Sequence, residues 1–99
     1  MSASRQVGAQ VRAAMDSIPA ARRIADGAWG NRAELFALVR EMEPQALAAL
    51  DRADSAIEAA RASGDEIGLR RARVAYHSVM GVALGVARAV STVCERFAF

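Results

Sequence analysis

Apolar residues recur at alternating spacings of three and four along the last third of the chain: Leu69, Ala72, Tyr76, Val79, Ala83, Val86, Val90, Val93 and Phe97. Sustained over four heptads, that rhythm predicts one long helix turning an apolar seam toward a partner helix. A second stripe runs through Leu35, Leu38, Val39, Met42, Ala46, Ala49, Leu50, Ala53, Ile57 and Ala60. It keeps phase across Pro44, which predicts one kinked helix or two nearly coaxial ones. A third stripe, Val7, Val11, Ala14, Ile18, Ala21, Ala25 and Trp29, has Pro19 inside it. There the helix either kinks or restarts with the proline in its first turn.

The breaks between stripes carry their own chemistry. Gly27-Ala-Trp-Gly-Asn31 joins the N-terminal stripe to the one beginning at Leu35, and Asn31 is a good N-cap for the helix there. Ser63-Gly64-Asp65 joins that helix to the last one. Gly64 suits the left-handed residue that ends a helix, and Asp65 suits the cap of the next. So short a link forces the two long helices to run antiparallel, each roughly 45–50 Å long at about 1.5 Å per residue. The expected fold is all-α: a single domain spanning residues 1–99, an elongated antiparallel bundle of three long helices. It has up to five segments if Pro19 and Pro44 break them. The last helix is expected to run roughly from Glu66 to Arg96.

Composition thins this picture. Apolar residues make up 54% of the chain, but 24 residues are alanine. Alanine favours helix and buries little surface, so the helices must approach closely around a small core. A core of that kind struggles to offset chain entropy, and this predicts self-association as a homodimer. All 13 basic residues are arginine, a bias that GC-rich coding explains as readily as it explains the alanine. Eleven acids are interspersed and the net charge is only +2. With no recognition motif or interleaved aromatics, that argues against nucleic acid as a partner. The single cysteine, Cys94, excludes an internal disulfide or a cysteine metal cluster and reads as a small core residue. The first residues lead into no continuous apolar segment, and His77 and Arg88 interrupt the longest apolar stretch. Neither a secretory signal nor a membrane span is expected, which points to the cytoplasm.

Candidate chemistry centres on His77, the one histidine. On a helical wheel it lies almost opposite the seam, on a face shared with Arg70, Arg73, Gly81, Leu84 and Arg88. Gly81, one turn on, costs the helix about 1 kcal/mol relative to alanine and leaves the ring open to an approaching partner. His77-Ser-Val-Met-Gly81, preceded by Ala62-Ser-Gly-Asp65, resembles the His-x-x-Lys-Gly signature and leading turn of histidine-containing phosphotransfer domains. That resemblance covers about the last half of the chain. It implies a small helical bundle relaying a phosphoryl group, with His77 as phosphoacceptor and Gly81 permitting close docking. Met80 stands where the family carries its phosphate-supporting lysine. Gly64-Asp-Glu-Ile-Gly68 is similar to the turn of a tetratricopeptide helix pair, although a solenoid needs about three repeats. Trp29-Gly30 resembles the turn of small secreted helical hairpins bearing Trp-x-Gly.

Gly81, Gly85 and Ala89 form a ladder of small residues at helical spacing. Such a ladder either receives a partner helix or packs tightly against the first helix. With one histidine, one cysteine and no matched pair of carboxylates, no catalytic triad, metal site or cofactor site is expected. The function expected is that of a small non-enzymatic protein-interaction module, regulatory or adaptor in role. Its partner face would comprise Arg70, Arg73, His77, Gly81, Leu84, Gly85 and Arg88. The alternative is phosphorelay through His77.

Overall fold

A computed structural model describes residues 3–96, with side chains from Gly8 onward. These residues form four helices and no strand: α1 (Ala3–Ser17), α2 (Pro19–Ala25), α3 (Arg32–Ser63) and α4 (Glu66–Arg96). The fold is all-α. The N-terminal stripe does not give a third long helix, because Pro19 ends one helix and starts another. Ile18 leaves the helical region at φ −128°. Its N–H still donates to Met15 O at 3.1 Å, and its carbonyl accepts from Arg22 N at 3.2 Å. Pro19 then opens α2, where the missing N–H costs nothing. Pro44 has the opposite outcome and lies inside an unbroken α3. It deprives the carbonyl of Arg40 of a donor, and both residues are exposed, where water is at hand to replace it.

Both turns follow the chemistry of their residues. Asn31 Oδ1 accepts from Glu34 N at 2.9 Å, and the Glu34 carboxylate reaches back to accept from Gly30 N at 2.6 Å. Together they satisfy donors at the start of α3 in the manner of a capping box. At its far end Gly64 takes φ 70°, and Asp65 N donates to Ala60 O at 2.9 Å. Asp65 Oδ1 then accepts from Gly68 N at 2.8 Å and starts α4. Two residues of linker leave α3 and α4 no choice but to lie side by side in opposite directions. The longest dimension of the molecule, 51 Å, is close to the length of the 32-residue α3.

The core forms where α2 lies against this hairpin. Ile18 and Leu35 are the largest side chains wholly removed from solvent. Around them cluster Ala21, Ile24, Leu38, Met42, Val79 and Val86. Every residue of the α3 stripe is buried or half-buried, as is the α4 seam from Leu69 to Val93; Phe97 lies outside the described residues. Val82 is buried as well, so the apolar face of α4 is wider than a two-helix seam. The N-terminal stripe is the one that misleads. Val11 is 44% exposed and Ala25 is exposed, while Ala20 and Ile24 are buried; the side chain of Val7 lies outside the described ones. The restart at Pro19 resets the helical phase, so α2 presents residues 20, 21 and 24 inward instead of continuing the spacing of α1. Trp29 packs on the end of the core and donates its indole N–H to Ile24 O at 3.3 Å. Cys94 is a free thiol, half-buried at the edge of the seam rather than within the core.

One contact ties the short helix to the long one. The N-cap of α2 is Ile18, which offers no side-chain acceptor. Instead Gln45 of α3 accepts from Ala20 N at 2.8 Å, across 25 residues of sequence. Ala20 is 1% exposed, so water does not substitute easily. Gln45→Ala is expected to lower stability by about 1–3 kcal/mol in urea unfolding, by orphaning that donor. Leu35→Ala is expected to cost about 2–5 kcal/mol, because the helices around it cannot fully collapse into the void.

Candidate functional site

The residues singled out on α4 do share one face, and all are exposed: Arg70, Arg73, His77, Gly81, Leu84, Gly85 and Arg88. The regular geometry of α4 holds them opposite the seam, so whatever buries the seam presents them to solvent. Leu84 is 55% exposed, a large apolar side chain in the middle of a polar row. The His77 ring stacks edge-on to neighbouring Tyr76, with centroids 5.9 Å apart and planes at 84°. Among the described residues Arg70, Arg73 and Arg88 form no ion pair. Met80, at the position of the expected lysine, is half-buried and brings no charge.

The small-residue ladder divides into two parts. A Cβ placed on Gly81 or Gly85 meets nothing within 4 Å, so neither glycine serves close packing against α1. Gly85 and Ala89 instead edge a crevice of about 220 Å³ shared with Ile24, Trp29 and Val90. The outer face of α4 also alters one expectation. By length and composition alone α4 is apolar enough to cross a membrane, despite His77 and Arg88, and only 11% of its most apolar window is buried. Alanine, glycine and valine dilute the two polar residues.

A larger feature went unseen in the sequence. A groove of about 840 Å³ opens between α1, the stretch of α3 around Ala53, and the first half of α4. Alanine is the commonest residue of its floor and walls, and Arg52, Arg70 and Arg71 line it. Alanine on a helix reads as core filler, and nothing in the spacing says that three helices will fail to close over it. Arg70, Arg71 and Arg73, close together in the chain, are its one trace in the sequence. Among the described residues no polar or charged side chain is buried, and no three His, Cys, Asp or Glu side chains gather to hold a metal. The face and the groove therefore offer shape and positive charge.

No family model, curated protein or solved structure matches this chain.

An interior helical glycine in open space carries the entropic cost of glycine with no steric reason for it. Gly81→Ala is therefore expected to raise stability by about 0.5–1 kcal/mol, read as a higher midpoint of thermal unfolding.

Proposed function

We propose that this chain is a small, non-enzymatic helical interaction module, regulatory or adaptor in role, which self-associates and binds a protein partner through the outer face of α4. Arg70, Arg73, His77, Gly81, Leu84, Gly85 and Arg88 make up the docking face. The observation that carries this reading is the combination of exposed Leu84 with open space over Gly81 and Gly85 on a long, apolar helix. Two glycines one turn apart let a second helix approach the backbone, and Leu84 beside them supplies apolar area. In fold terms α1 and α2 act together as one broken layer of an elongated antiparallel bundle beside the two long helices. The reading treats the protein as cytoplasmic and the α4 face as a protein-docking surface. Arg70, Arg73, His77 and Arg88 run along that face, and four such groups are costly against lipid.

Sedimentation equilibrium tests the self-association. A dimer is expected at micromolar concentration, with Leu84→Glu and Gly85→Leu each weakening it about tenfold or more at unchanged helix content. A single-chain mass at every concentration removes the dimer from the proposal.

A second reading rests on the exposure of His77 beside the open space at Gly81. In it, an imidazole nitrogen accepts the phosphoryl group of a response regulator's aspartyl phosphate, and the aspartate leaves as a carboxylate. A phosphate in mid-helix lies far from the favourable N-terminal dipole and depends on side-chain cations. Arg70 and Arg73 would supply the charge that Met80 does not. Incubation with phosphorylated response regulators is then expected to label the wild type and not His77→Ala. Labelling of both, or of neither, leaves the interaction reading alone.

A further inference from the structure

We infer that the groove between α1, α3 and α4 is a binding site for a single-chain anionic amphiphile, of which a fatty carboxylate is the simplest form. Ala53 and Ala56 of α3, Ala72, Ala75 and Val79 of α4, and Ala13 of α1 supply an apolar trough. Its volume of about 840 Å³ falls within the roughly 300–1,000 Å³ of small-molecule sites. The charges along it are all of one sign. Arg52, Arg70 and Arg71 line it, no carboxylate does, and among the described residues none of the three arginines is ion-paired. A planar guanidinium binds a carboxylate through paired hydrogen bonds, so an apolar trough edged by free guanidinium groups matches an apolar chain ending in an acid.

The length of the trough suits the same occupant. The trough follows α4 from Ile67 to Val79, about 18 Å at roughly 1.5 Å per residue. An extended acyl chain reaches the same length. The third wall is also suited to closing over such a chain. Among the described side chains of α1 only Ala14 is buried, and α1 joins the rest of the molecule through the break at Ile18 and Pro19.

Isothermal titration of the whole protein with octanoate, decanoate and dodecanoate, each kept below its micelle concentration, tests the site. Affinity is expected to rise about fourfold for each added methylene, as burial of the chain requires. Arg52→Glu with Arg71→Glu is expected to weaken decanoate about tenfold or more while leaving the neutral decanol unchanged. Both arginines lie outside the docking face proposed for α4, so this result is independent of that reading. Ala75→Phe and Ala56→Phe start from exposed positions, and each should fill the trough and abolish uptake at unchanged circular dichroism. Three results overturn the inference. They are no uptake of dodecanoate by the wild type, affinity that does not change with chain length, and uptake that survives both phenylalanine variants. Co-flotation with phosphatidylglycerol vesicles without binding of monomeric dodecanoate overturns it too, since the surface would then read a bilayer.

Discussion

Ile18 and Leu35 hold the fold at the place where its two long helices need help. Toward its turn the α3–α4 hairpin meets through alanine, with Ala46, Ala49, Ala53 and Ala60 on one side and Ala72 on the other. Alanine lets helices approach but withdraws little apolar area from water, so a bare hairpin of this composition gains little over the entropy of the unfolded chain. At the other end α2 completes a layer of larger side chains. It places Ile18 and Ile24 among Leu35, Leu38, Met42, Val79, Val82 and Val86, and these residues form one continuous core. The Gln45 side chain, bonded to the start of α2, keeps that layer in register.

The large side chains of the hairpin, and the short helix that covers them, occupy only part of its length. Toward the Gly64 turn the buried residues are Ala53, Ala60 and Ala72, and they lie outside the main cluster. There α1 flanks the hairpin without closing on it, and the groove results. One local event, the helix restart at Pro19, thus produces both the well-packed part of the molecule and its open part. Packing density and accessibility are divided along the long axis.

The two surfaces proposed as functional share a stretch of α4 and differ in character. The groove takes its shape from three helices and its charge from Arg52, Arg70 and Arg71. The outer face belongs to α4 alone and is shaped by glycine, with Leu84 as its one large apolar group. Arg70 belongs to both. An occupant held at Arg70 in the groove would draw that guanidinium from the face that also carries His77, giving the two surfaces a physical point of contact.

Period, cap chemistry and turn chemistry were legible in the residues themselves. The stripes on α3 and α4 gave the buried faces nearly residue by residue, because a helix of thirty-odd residues repeats its pattern often enough to average out exceptions. Asn31, Gly64 and Asp65 announced their turns because each acts on backbone groups only a few residues away. The exposure of His77 and its neighbours came from the same wheel that buried the seam. The sequence left the choice at Pro19 and Pro44 open, since one proline breaks a helix and the other rides within one. What differs is the surroundings: Ile18 and Ala20 are anchored in the core, whereas Pro44 faces solvent. Tertiary structure alone decided that Val11 stays outside, that Gln45 caps a helix 25 residues away, and that a row of alanines lines a groove. Each depends on where a separate helix comes to rest, and no local spacing of residues encodes that placement.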